Sequence, residues 1–200
     1  MSVDLQYVNA ALTRAAFETV SQLPGTTAEG KVAQENYEKL VLAELTSYPW
    51  NFASTKRNLN LLSQTPDLPW LYAYQKPTDL LLLRRLEVEG CGIDYEVLTD
   101  KIHCDYGSDS TVIAKFTWRV PETLWPGWFG LYITRRMEAI FLRSPAGQYE
   151  EAASVDEACE VLLSKARTED AKLKTPVDPR RHPLLDARRG AAPPSRHSWR

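Results

Sequence analysis

The hydrophobic pattern of this chain changes period at two clusters of aromatic residues and prolines. The first is Tyr48-Pro49-Trp50-Asn51-Phe52-Ala53. The second is Pro69-Trp70-Leu71-Tyr72-Ala73-Tyr74-Gln75-Lys76-Pro77-Thr78-Asp79. Before them apolar residues recur at helical spacing, and after them apolar and polar residues alternate. A helical pattern does not settle as a strand, nor the reverse. The chain therefore has to join helices to a sheet here, and Trp50, Phe52, Tyr72, Tyr74, Pro77 and Asp79 are the expected junction residues.

On the helical side, Leu5, Val8, Leu12, Ala15, Ala16 and Val20 share a face within Asp4 to Ser21, and Leu23-Pro24-Gly25 ends the run. Thr26-Thr27-Ala28-Glu29 has capping-box spacing: the Thr26 hydroxyl would accept a backbone N–H while Glu29 reaches back to the Thr26 amide. A second helix follows, with Ala33, Tyr37, Leu40, Val41 and Leu45 on one face up to Tyr48-Pro49.

From Phe52 to Val120 the spacing predicts strands over Phe52 to Leu62, Leu71 to Gln75, Leu80 to Glu89, Asp94 to Leu98, Lys101 to Asp105 and Thr111 to Arg119. Thr99-Asp100 reads as a hairpin turn, and Gly90-Cys91-Gly92 as a tight turn between strands. The run Leu80-Leu81-Leu82-Leu83 suits a buried helical turn as well as a two-sided strand; its neighbours assign it to a strand.

Helical spacing returns after Pro121, with Trp125, Phe129, Tyr132, Ile133, Met137, Ile140 and Phe141 on a broad apolar face. Glu150 and Glu151 read as a solvated turn ahead of the last helix. Ser154-Val155-Asp156-Glu157 then offers a capping box for that helix, whose seam is Val155, Cys159, Leu162, Ala166 and Leu173. The expected fold is α+β, a four-helix bundle-like body (1–49 and 120–175) with an inserted, mainly antiparallel β domain (50–119) and an extended C-terminal tail (176–200).

Charge separates that tail from the rest. From Pro176 onward there are six arginines and no lysine against two aspartates, so the overall net charge of −2 is a tail of +4 and a body of −6. The tail also holds five prolines, with Val177, Leu184, Leu185 and Trp199 its only sizeable apolar residues. Such a composition cannot bury enough surface to offset its ordering entropy, so it is expected to order on a partner. Arginine in place of lysine favours structured pairing with carboxylates.

Catalytic signatures are missing. There is no phosphate-binding glycine loop, dinucleotide fingerprint, nucleophile elbow or paired-histidine zinc motif. Three cysteines at wide spacing, Cys91, Cys104 and Cys159, suit neither a disulfide framework nor a zinc knuckle. A nucleophilic Cys91 would need a partner such as His103. The Cys104–Ser110 stretch carries Asp105 and Asp109 but misses the calcium-loop spacing. Trp50, Trp70, Trp118, Trp125 and Trp128 lack the interleaved basic residues of a nucleic-acid stacking platform, which favours core or interface packing. No enzyme activity, cofactor or metal is expected. No apolar run reaches the roughly 20 residues that span a bilayer, and the N-terminus Met1-Ser2-Val3-Asp4 has no signal-peptide pattern.

In the order of its motifs the chain resembles the head-to-tail adaptor proteins of tailed bacteriophages, of the tail tubular protein A type. The matching features span residues 5 to 175: an N-terminal helix pair, Trp50-Asn51-Phe52-Ala53, Tyr72-Ala73-Tyr74-Gln75-Lys76-Pro77-Thr78-Asp79, a proline-rich start to the third helix, and Lys165-Ala166-Arg167-Thr168-Glu169-Asp170-Ala171. Phe129-Gly130-Leu131-Tyr132-Ile133-Thr134-Arg135-Arg136 is bulkier than the alanine-rich helix of that family, and no family motif covers the tail.

The resemblance implies a structural virion protein at the head–tail interface, assembled in the host cytoplasm. It would form a dodecameric ring beneath the portal and line a channel through which double-stranded DNA passes without specific binding. The tail would bind the portal protein through Arg180, Arg181, Leu184, Leu185, Arg188, Arg189, Arg196 and Trp199, and the β insert would meet a tail or nozzle protein. A different class of reading is a nucleic-acid-binding or regulatory module that uses the basic tail as an electrostatic arm. A third is a small enzyme with a site around Cys91, His103 and Cys104.

Overall fold

A computed structural model describes residues 5–23, 27–63, 66, 69–144 and 146–174 of the chain. The described residues form an α+β fold of four helices and two antiparallel sheets. The helices are α1 (Leu5–Arg14), α2 (Ala28–Ser47), α3 (Gly127–Arg143) and α4 (Tyr149–Lys172), with a 3-10 turn at Glu122–Leu124 before α3. Helix α3 packs against each of the other three. That centrality follows from its sequence: Phe129, Tyr132, Ile133, Met137, Ala139, Phe141 and Leu142 leave little of its circumference polar, and all are buried.

Helix α1 is shorter than the predicted span to Ser21, although Val8, Ala11 and Leu12 are fully buried as their spacing requires. Ala16 adopts a left-handed conformation at φ 59°, the Phe17 N–H donates to the Leu12 carbonyl at 2.9 Å, and the Ala16 N–H donates to Thr13 at 3.3 Å. This is the Schellman stop, here made by alanine where glycine is usual. Asn9 then fastens the departing chain, its side chain donating to the Val20 carbonyl and accepting the Val20 N–H, both at 2.9 Å.

Two predicted helix starts move. The N-cap of α2 is Thr27, whose hydroxyl accepts the Gly30 N–H at 3.1 Å, so Glu29 falls in the first turn; the Thr26 side of the expected box lies outside the described residues. Helix α4 begins at Tyr149, after Gly147 at φ 66°. Glu150 and Glu151 therefore occupy its first turn, not a turn ahead of it, and there they complement the positive end of the helix dipole. Ser154–Glu157 lies inside the helix, and Asp156 pairs with Arg136 at 2.9 Å and with Arg143. The buried seam of α4 is Ala152, Cys159, Leu163, Ala166 and Asp170, while Leu173 is exposed.

The strands are β1 (Ser54–Asn58), β2 (Tyr72–Gln75), β3 (Leu80–Val88), β4 (Cys91–Ile93), β5 (Glu96–Leu98), β6 (Lys101–Cys104) and β7 (Val112–Trp118). They form a four-stranded sheet in the order β1-β7-β3-β4 and a three-stranded sheet in the order β2-β6-β5. The predicted strand Phe52 to Leu62 is divided between them. Its first part pairs with β7, and after the Leu59 N–H bonds to Val112 the chain crosses to β2, where Leu61 bridges Tyr74 and the Leu62 N–H donates to Ala73 at 2.9 Å.

Cys91 and Gly92 belong to β4, not to a turn. The turn is Glu89-Gly90, with φ of 50° and 81°, the two positive values of a type I′ hairpin, and it sets Val88 opposite Cys91. Thr99-Asp100 does turn a hairpin, with Thr99 at φ 52° and Leu98 opposite Lys101. The Leu80–Leu83 run is strand.

Two apolar clusters result. One lies among the helices and includes Leu12, Tyr37, Val41, Leu45, Trp50, Phe129, Ile133, Met137 and Phe141. The other lies between the sheets and includes Tyr74, Leu86, Ile102, Cys104, Val112 and Phe116. Trp118, at the end of β7, packs against both. No helix of the described residues is long and apolar enough to cross a membrane.

Candidate functional site at the helix-to-sheet junction

Helix α2 ends because Tyr48 is extended (φ −139°, ψ 148°) and Pro49 cannot continue the helical hydrogen bonds. Trp50 then turns inward, fully buried, and its indole N–H donates to the Glu44 carbonyl at 2.8 Å. That bond satisfies one of the carbonyls a helix leaves unpaired at its C-terminus. The Trp50 ring meets Tyr48, Phe52, Trp128 and Phe129 at centroid distances of 4.8, 5.8, 5.7 and 5.3 Å. Trp125 continues the cluster, edge-on to Phe129 at 5.0 Å. Offset and edge-to-face pairs of this kind add stability beyond the area they bury.

The polar centre of the junction is Asp170, fully buried in the last turn of α4. Its carboxylate accepts the Asn51 backbone N–H at 2.9 and 2.8 Å, the Asn51 side-chain N–H at 3.0 Å and the Phe52 N–H at 3.2 Å. The Asn51 side chain also donates to the Asp170 carbonyl at 3.0 Å. A carboxylate near the negative end of a helix is placed against the dipole. Convergent N–H groups offset that cost and replace the water the carboxylate has lost.

Arg84 seals the sheet side. It occupies an irregular position of β3, between the Leu83 and Arg85 pairings, and donates to Thr117 Oγ1 at 2.9 Å and to the Tyr48 carbonyl at 2.7 Å. Burial lowers its pKa from the ordinary guanidinium value. On the outer side, the Arg167 guanidinium lies 5.1 Å from the centre of the Tyr48 ring. Below, Arg119 ties the end of β7 to the helices, bonding Glu38 at 2.9 and 3.0 Å and Glu122 at 2.6 Å. Burial acts to lower the Arg119 pKa, and its two carboxylate partners outweigh that and raise it.

The six expected junction residues are not gathered at one place. Trp50 and Phe52 belong to the helical aromatic cluster. Tyr74 is buried between the sheets, its hydroxyl donating to the Tyr106 carbonyl at 2.8 Å, and burial, with Cys104 and Tyr72 nearby, raises its pKa. Tyr72 lies over Gly107, where an added Cβ would stand 2.5 Å from the ring. The Pro77 carbonyl accepts the Leu80 N–H at 3.1 Å, and Asp79 takes a two-pronged bond from Arg57 at 2.8 and 2.9 Å. The periodicity gave no sign of Asp170, Arg84 or Glu44. An aspartate in the last turn of a helix, where cations are favoured, was the available signal for Asp170.

The eight tail residues Arg180, Arg181, Leu184, Leu185, Arg188, Arg189, Arg196 and Trp199 lie outside the described residues. Cys91 is exposed on β4. His103 and Cys104 are consecutive in β6 and so project from opposite faces of the sheet. Neither ring nitrogen of buried His103 has a hydrogen-bond partner among the described residues, and burial raises the Cys104 thiol pKa. The hydrogen-bonded thiol–imidazole pair that activates a cysteine nucleophile is thus not formed by these three residues. Among the described residues, no group of three or more His, Cys, Asp or Glu is placed to hold a metal ion. The sequence matches no model of a known protein family and no curated protein.

Proposed function

We propose that this chain is a head-to-tail adaptor of a tailed bacteriophage, a non-enzymatic ring subunit between the portal and the tail. The observation that carries the reading is the bond between Asp170 and the Asn51–Phe52 backbone. Two stretches on which the resemblance rests, Trp50–Ala53 and Lys165–Ala171, are far apart in the sequence, yet they make one buried contact. They behave as parts of one device that fixes the end of the last helix to the start of the sheet.

In this reading α3 and the three helices packed on it are the bundle-like body, the two sheets are the insert that meets a tail or nozzle protein, and residues 176–200 dock on the portal. A body of net charge −6 suits a conduit for DNA, because a negative lumen repels phosphates and lets the genome slide. Subunits would meet through two different surfaces, the heterologous contact that closes a ring. Electron microscopy of the native particle tests this: density for the fold as a ring beneath the portal is expected, and its absence from that vertex overturns the reading.

A second reading, a nucleic-acid-binding or regulatory module, is favoured by one surface feature. Lys56 pairs directly with Lys115, and Lys115 with Arg85, across three neighbouring strands, with Glu87 set among them. Like charges placed opposite one another are unfavourable without a counter-charge. Salt-titrated DNA binding separates the readings: a steep salt slope that disappears when these cations and the tail arginines are replaced supports the module.

A further inference from the structure

The three-stranded sheet has a free edge that carries exposed apolar side chains. Among the described residues strand β5 pairs with β6 alone, so the backbone groups of its other edge have no strand partner among them. On that edge, Val97 and Leu98 are 37% and 46% exposed. Its flanks are acidic: Asp94, Glu96, Asp100 and Asp105 are exposed, Glu96 taking the Trp70 indole N–H at 2.7 Å and Asp105 the Leu71 N–H at 3.3 Å, with Lys101 and Lys76 the nearby cations. Asp94 and Asp105 line a groove of about 470 Å³ together with Gly92, Ile93 and Tyr106. Continuing the Glu96–His103 register sets these two aspartates opposite each other, an unfavourable like-charge pair that a cation would relieve.

We propose that residues 176–200 of the same chain dock on this edge, with Leu184-Leu185 against Val97 and Leu98 and the flanking arginines on the acidic rim. The charges are complementary, six arginines and two aspartates in the segment against a carboxylate-rich edge. Asp94 and Asp100 flank β5 in the sequence, as Arg180-Arg181 and Arg188-Arg189 flank the leucine pair. The segment leaves from the end of α4, which Asp170 pins to the residues before β1. From Lys174, the 10 residues to Leu184 reach up to about 33–36 Å. Pro183 is compatible with an added outer strand, where one N–H in two faces away from the ladder.

Docking in cis goes beyond the adaptor reading and does not depend on it. Its consequence for assembly rests on that reading: the arginines assigned to the portal are held by the chain's own sheet until the portal competes for them.

Trypsin cleavage after Arg180, Arg181, Arg188 and Arg189, followed by mass spectrometry, tests the docking on the full chain without a portal. The reference probe is a synthetic peptide of residues 176–200. Cleavage about tenfold slower in the protein than in the peptide is expected, as for a docked state roughly 90% populated. The protection should vanish in Asp94→Lys/Asp100→Lys and, without touching the sheet, in Leu184→Ser/Leu185→Ser. Equal rates in protein and peptide overturn the proposal, as does protection that survives both double variants. Protection that rises with protein concentration assigns the contact to a second copy and also overturns it. Because the ring is read separately by microscopy, the two ideas can fail independently.

Discussion

Asp170 and Asn51 lie 119 residues apart and are joined through both the backbone and side-chain N–H groups of Asn51, all converging on one buried carboxylate. Replacing Asp170 by Ala removes the acceptors and leaves buried N–H groups unsatisfied. We expect a loss of about 3 kcal/mol, the cost of a buried charge-assisted hydrogen-bond set. Asp170→Asn should lose less, because one carbonyl oxygen remains to accept. Urea unfolding of the three proteins measures both, and equal stability of wild type and Asp170→Ala would contradict this role.

Trp50 supplies volume and one hydrogen bond. Trp50→Ala should cost about 3–5 kcal/mol through lost burial and a residual cavity. Trp50→Phe keeps most ring contacts but removes the indole N–H from the Glu44 carbonyl, which retains the Ser47 hydroxyl, so it should cost about 1 kcal/mol. Thermal melting of both variants checks the order.

Only Cys91 is exposed; Cys104 and Cys159 are buried. Burial pushes the Cys159 thiol up to about 11, so it stays protonated well above the range in which an ordinary thiol ionises. A thiol reagent should label one cysteine per folded chain, and the other two only after denaturation. The sign of the linkage follows: the unfolded chain releases the Cys159 proton first as pH rises past its ordinary value, so stability falls there.

Glu87 is held below its ordinary pKa, first by the hydrogen bond from Lys56 at 2.5 Å and then by the nearby charges of Lys56, Arg85 and Lys115. A depressed carboxylate stabilises the fold above its unfolded pKa and loses that contribution as pH falls through the folded value. Wild type should therefore exceed Glu87→Gln in urea midpoint at neutral pH, and the gap should close as pH falls below the ordinary carboxylate range. A gap that widens on acidification would refute the assignment.

If the tail seats on the portal by paired arginines, Arg180→Glu/Arg181→Glu should weaken docking on the purified portal more than Lys172→Glu/Lys174→Glu. Lys172 already has a partner in Glu169, at 2.5 Å, and both lysines are exposed. Equal losses in a pull-down would point to nonspecific charge attraction.

Periodicity alone located all four helices and six of the seven strands, because each element shows its period within its own residues. It placed the stop of α1 too late, since a Schellman stop on Ala16 uses a residue that also continues helices well. It also began α4 late, because Glu150-Glu151 and Ser154–Glu157 are both acceptable helix starts and local rules do not rank them. Strand β4 was missed because three residues with a central glycine carry almost no alternation.

The sequence by itself determined where helical packing yields to sheet pairing, since the period change and Pro49 act over a few residues. It also determined that the segment from Pro176 differs in charge from everything before it. Only the tertiary structure decided what holds the junction together. The Asp170 carboxylate finds its donors across 119 residues, and Arg84 reaches the Tyr48 carbonyl across 36. Such long-range satisfaction of buried polar groups leaves no periodic trace in the chain, because it depends on which backbone N–H and C=O groups packing leaves without a partner.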